Sequence, residues 1–137
     1  RFDELEPGYR LVSEDDRIRP DGYYGVSKAF GEALGSYYDD YHGLSSIHLR
    51  IGWVISDDDP SFSPFALSLW LSHQDTAQAV AKAIDAPDSL RYAVTYVTSN
   101  NRWKIFSINR AREVLGYEPR DAAGSEWEDR DPPLRDK

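Results

Sequence analysis

Apolar residues in this chain recur with two different periods. Val26, Phe30, Ala33, Tyr37 and Tyr41 are spaced four, three, four and four apart, which places one apolar stripe on a helix. Pro20 and Asp21 supply a start signal for that helix, and Gly43, just past His42, supplies a stop. Residues 46–54 are rich in β-branched and aromatic side chains and predict a strand. A second helix is predicted over 74–86, with Ala77, Val80, Ala81 and Ile84 on one side. Ser72-His73-Gln74-Asp75 is a capping-box pattern at its start. Residues 92–97 predict another strand, and Ser107 begins a short helix that ends at Leu115, before Gly116 and Pro119. A long helix followed within a few residues by a strand predicts an α/β fold with a parallel sheet, in which ligands bind beyond the carboxyl ends of strands, here residues 52–55.

Composition narrows the class. The 137 residues are 40% hydrophobic with 18 aromatics, enough for one core. Without cysteine there is neither a disulfide nor a thiolate metal site, and three scattered histidines (His42, His48, His73) argue against a metal centre. A net charge of −8 argues against nucleic acid or an anionic membrane as partner. Sixteen Asp and 8 Glu face 12 Arg and only 4 Lys, a balance like that of proteins from salt-loving archaea, where ions screen self-repulsion.

The candidate chemistry lies in Tyr24-Gly25-Val26-Ser27-Lys28. A tyrosine and a lysine four apart share one helix face. A free phenol titrates near pH ~10, and a nearby ammonium favours the phenolate, so such a pair makes a general acid/base. Roughly a quarter of a chance match is expected from this composition, so the spacing alone is equally a wet helix face. Gly31 and Gly35 fall in the same sector as the pair and predict close approach of either a ligand or a neighbouring strand. Asp57-Asp58-Asp59-Pro60 lacks calcium-loop spacing and reads as a solvated turn. Ser72, His73 and Asp75 are neighbours at a cap rather than a triad.

Tyr24-x-x-x-Lys28, Leu49-Arg50-Ile51-Gly52, Trp70-Leu71-Ser72-His73-x-Asp75 and Leu115-Gly116-Tyr117-x-Pro119 occur in one order. That order resembles the C-terminal half of extended-type short-chain dehydrogenases/reductases, the NAD-dependent epimerase/dehydratase group. Within it, Tyr24 to Glu32, Arg50-Ile51-Gly52 and the Trp70 segment are most similar to uronate dehydrogenases and archaeal NAD-dependent glucose-6-phosphate dehydrogenases. The resemblance implies a Rossmann-like doubly wound parallel sheet over residues 1–120; from Asp121 the chain is charged and proline-bearing, and 121–137 reads as a surface tail. It implies Tyr24 as catalytic acid/base and Lys28 as the residue that holds the nicotinamide ribose. Ile51, Gly52 and Trp53 would contact NAD, and Val54 the sugar; plain core packing is the other reading of Trp53 and Val54. NADP remains open as the cofactor.

The implied reaction is oxidation of a sugar at its anomeric carbon to a lactone, in a cytoplasmic enzyme. Its small-molecule substrate would be an aldose phosphate or a uronate. Uronate dehydrogenases carry an arginine shortly before the Trp70 segment, where this chain has residues 62–65 and no arginine between Arg50 and Arg91. That departure favours a neutral or phosphorylated aldose. The family's glycine-rich turn and catalytic serine are absent, and the chain starts in a polar stretch without methionine, so the C-terminal half of a longer enzyme is expected. A nucleotide-sugar epimerase or dehydratase would use the same pair, while a non-catalytic dinucleotide-binding regulator would not need it. Self-association is open at this point.

Overall fold

Two parallel strands separate the helices into layers. The computed structural model describes residues 9–124. In chain order it comprises α1 (Tyr23–His42), β1 (Ser46–Ile51), α2 (Pro64–Leu69), α3 (His73–Ile84), β2 (Tyr92–Val97) and α4 (Asn109–Leu115). β1 and β2 pair in parallel, with Ser46 opposite Tyr92 and Ile51 opposite Val97. Because side chains alternate along a strand, one face of the pair carries Ser46, His48 and Arg50 beside Tyr92 and Tyr96. This face meets α1, where Tyr92 Oη donates to the Glu32 carbonyl at 3.0 Å. The other face holds Leu49 against Leu71, Ala79, Val97, Ile108, Ala111 and Tyr117, the main core. Helices on both faces of a parallel pair are the expected α/β arrangement.

The expected stops hold: Gly43 and Gly116 end α1 and α4 in the left-handed conformation, at φ 67° and 63°. At the start of α3, Ser72 Oγ accepts from Asp75 N at 3.0 Å, the cap that the capping-box pattern predicts. Several boundaries differ. α1 starts at Tyr23 behind an extended Gly22, with no side-chain cap from Asp21. β1 stops at Ile51 rather than running to residue 54, because beyond Gly52, whose N–H still donates to Val97 O, Trp53 leaves β2 and pairs with residues 69–71 instead. α2 was not predicted; Ser63 caps it, accepting from Ala66 N at 3.0 Å, with Pro64 in its first turn. α4 begins at Asn109, two residues after Ser107.

The apolar stripes were legible, but their orientation was not. None of the residues of α1 is fully buried, and its stripe is open, with Phe30 65% exposed. The sheet side of α1 is instead the row Gly25, Ala29, Glu32, Gly35, Ser36 and Asp39, all partly covered. α3 likewise buries Asp75 and Ala79, while Ile84 on its predicted apolar side is 77% exposed. The tail expected from Asp121 is docked over its first residues. Asp121 and Arg120 donate backbone N–H groups to Asp75, and Ala123 packs with Leu67, Trp70 and Trp103 in a second core. The rest of that tail, like residues 1–8 of the polar stretch at the start, lies outside the described residues, while Asp15 and Asp16 of that stretch pair with Arg110 and Arg10.

Candidate active site

The position of the Tyr24 pair follows from how α1 lies on the strands. Asp39 pairs with Arg91 just before β2, at 2.6 Å. Gly35 lies against Ser46 and His48, so close that a methyl group there would sit 2.6 Å from Ser46 Oγ. Glu32 then pairs with Arg50 near the end of β1. Going backward along α1 therefore means going forward along β1. Tyr24, eight residues before Glu32, overhangs by ~12 Å at 1.5 Å per residue. Trp53, three residues after Arg50, extends ~10 Å at 3.3 Å per residue. Both reach past the carboxyl end of the parallel pair, where ligands bind in such sheets.

Tyr24 is 77% exposed, and the Lys28 ammonium lies over its ring, 5.0 Å from the centroid. Ser27 Oγ bonds back to the Tyr24 carbonyl at 2.7 Å. The ammonium thus stands over the phenol ring, and both side chains are exposed to solvent. Of the two readings of the glycines, a neighbouring strand explains Gly35, and Gly31 meets nothing within 4 Å.

Beyond β1, residues 51–54 take separate roles. Ile51 is exposed at the strand end. At Gly52 a side chain would collide with the Leu69 carbonyl. This close approach lets Trp53 N donate to that carbonyl at 2.7 Å and Leu71 N to Trp53 O at 2.9 Å. The Trp70 carbonyl in turn accepts from Ser99 N at 3.0 Å, so the segment wedges between the ends of β1 and β2. Trp53 and Val54 remain 43% and 44% exposed, with Trp53 resting edge-on against Phe65. They are surface residues at this end rather than core.

The acid cluster behaves differently from the solvated turn expected of it. Asp58 sits at φ 57°, and its carboxylate accepts from Trp70 Nε1 at 3.0 Å and from His73 N. His73 Nε2 contacts the Ile55 carbonyl at 2.8 Å. Together they pin the loop after Val54 to the start of α3. Asp57 and Asp59 stay exposed, and nothing in a run of three acids marks the middle one. Ser72, His73 and Asp75 do not form a triad: Ser72 Oγ donates to Asp121, and Asp75 accepts from Ser99 Oγ, both at 2.6 Å. Among the described residues no His, Asp and Glu cluster could hold a metal ion, and no helix is long and apolar enough to cross a membrane.

No protein-family model matches the chain. It is 41% identical over 131 residues to the L-arabinose 1-dehydrogenase (NAD(P)(+)) of Haloferax volcanii, covering 88% of this chain and 51% of that enzyme. It is 42% identical over 103 residues to the NAD-dependent glucose-6-phosphate dehydrogenase of the same organism, covering 75% and 38%. Solved structures agree. Uronate dehydrogenase from Agrobacterium tumefaciens, as a tyrosine-to-alanine mutant complexed with NAD, superposes with a TM-score of 0.74 at 32% identity, over 86% of this chain and 43% of that one. In sequence and in fold the chain is similar to NAD-dependent sugar dehydrogenases. It spans about half the length of the curated relatives it matches. Its fold is the Rossmann-like α/β fold of the uronate dehydrogenase structures.

Proposed function

We propose that the protein carrying this chain is an NAD-dependent sugar dehydrogenase that oxidises the anomeric carbon to a lactone, with Tyr24 as general base. The observation that carries the reading is the exposed Tyr24–Lys28 pair overhanging the carboxyl end of the parallel strands. Relatives named for oxidising arabinose, glucose 6-phosphate and uronate support the reaction class.

The residues fit a nicotinamide ribose: Lys28 offers ammonium donors beside the Tyr24 phenol, and Trp53 stands half-exposed at the same end. Bound there, NAD would accept the hydride. Tyr24 would take the proton from the anomeric hydroxyl as the C–H bond breaks, so that the carbonyl of the lactone forms. Lys28 would hold the ribose hydroxyls next to the Tyr24 ring. Ile51 and Gly52 would close the cofactor side of the cleft, and Val54 would face the sugar. NADP is the alternative cofactor.

For the substrate, the absence of arginine between Arg50 and Arg91 favours a neutral or phosphorylated aldose over a uronate. The test is NADH formation by the full-length protein with aldoses, aldose phosphates and uronates. Turnover of any of these with loss of the anomeric hydrogen supports the reading. No NAD reduction by the whole panel, in a protein that binds NAD, would overturn it.

A further inference from the structure

The catalytic helix is held on the sheet almost without apolar packing. Its sheet-facing row is small or acidic, and no α1 residue is fully buried. A smooth row of glycine, alanine and serine lets a helix approach closely but does little to stop it sliding by a turn, ~5.4 Å. Ion pairs must set the register.

Asp39–Arg91 holds the far end of α1, and the restraint nearer Tyr24 is Glu32. Arg50 Nε and Nη2 grip its two carboxylate oxygens at 2.7 and 2.8 Å, with both side chains largely covered. Arg50 Nη1 also donates to Tyr96 Oη at 3.1 Å, and the guanidinium lies 5.0 Å from the Tyr96 ring centroid. Tyr96 in turn stacks on Phe106 at 4.4 Å. The Glu32 main chain is held as well, accepting from Tyr92 Oη. One residue of α1 is thus tied to both strands, by a planar two-point pair that tolerates little displacement. Hydrogen bonding to Glu32 raises Arg50 above the ordinary guanidinium value, against the cost of its partial burial, so the guanidinium stays charged.

We propose that the Glu32–Arg50 pair is the register pin of the catalytic helix, a positioning device that sets Tyr24 and Lys28 against residues 52–54. The proposal rests on the assignment of Tyr24 and Lys28 above. Glu32 lies one turn beyond Lys28 and two beyond Tyr24, so a shift at the pin is passed along a rigid helix to both. Misplacing a reacting group by ~1 Å can cost ~10²-fold in rate. Neither Glu32 nor Arg50 need touch substrate.

The experiment uses full-length protein and the variants Glu32→Gln, Arg50→Gln, Arg50→Lys and the Glu32→Gln/Arg50→Gln double. Calorimetry gives the NAD Kd without substrate, and steady-state kinetics separate kcat from KM. Folded single variants should lose about tenfold or more in kcat and bind NAD several-fold more weakly, with Arg50→Lys recovering part of both. The double variant should be no worse than the poorer single, since the two residues act as one unit. If Arg50→Gln does not fold, Glu32→Gln and Arg50→Lys carry the same measurements. Folded variants with lower melting points but kcat and NAD Kd within twofold of the parent would overturn the pin. Full turnover by Tyr24→Phe would sink the base assignment instead, and the NAD Kd of the Arg50 variants would still read the pin through Lys28.

Discussion

Gly52 lies against the main-chain carbonyl of Leu69, leaving no room for even a methyl group. Gly52→Ala should push residues 69–71 away and break the Trp53 N to Leu69 O bond, costing about 1–3 kcal/mol by overpacking. Gly31→Ala, which meets nothing within 4 Å, should stabilise by up to about 1 kcal/mol through helix propensity. Denaturant titrations of the two variants should move in opposite directions.

Tyr24→Phe keeps the ring and removes the phenol oxygen proposed to accept the proton. Turnover should fall by ~10²–10⁴-fold or more with NAD affinity nearly unchanged. Lys28→Ala should weaken NAD binding as well. Both sites are exposed, so melting points should stay close to the parent's. More than about a tenth of parental turnover in Tyr24→Phe at saturating substrate contradicts the assignment.

Tyr117 should make stability fall in alkali. Its ring is fully buried, its hydroxyl donates to Thr98 O at 3.0 Å, and desolvation pushes the phenol well above its ordinary value. The folded protein therefore holds this proton more tightly than the unfolded chain. The contribution is intact below the unfolded value of ~10 and is lost as pH rises above it. Tyr117→Phe should weaken this alkaline loss while costing about 1 kcal/mol near neutrality. Urea midpoints between neutral pH and pH ~11 would measure it.

The 137 residues expressed by themselves should associate or precipitate and bind no NAD. The open faces of α1 and α3 leave Phe30, Tyr41 and Ile84 to solvent, and Ile51 is exposed at the end of β1. Sedimentation and calorimetry test this directly. A monodisperse chain with micromolar NAD affinity would refute it.

The acidic balance, net −8, should make the full-length protein more stable as potassium chloride rises from ~0.1 M toward molar concentrations. The Debye length then shortens from ~10 to ~3 Å and screens self-repulsion. A melting point flat or falling with salt would leave the composition without this explanation.

Local patterns settled much of this protein without any structure. Glycines at 43 and 116, the serine cap at 72 and the β-branched run at 92–97 act over a turn or less, so neighbours in sequence suffice to read them. The pairing of Tyr24 with Lys28 belongs to the same class, because one helical turn joins them. Tertiary structure decided which face of each helix meets the sheet. A periodic stripe reports a helix's phase but not its partner, so α1 could turn Phe30 outward and seat Glu32 on Arg50. It also decided why Gly52 must be glycine and why Asp58 differs from the acids beside it. Those reasons are the Leu69 carbonyl, Trp70 and His73, contacts made across intervals that no local pattern encodes.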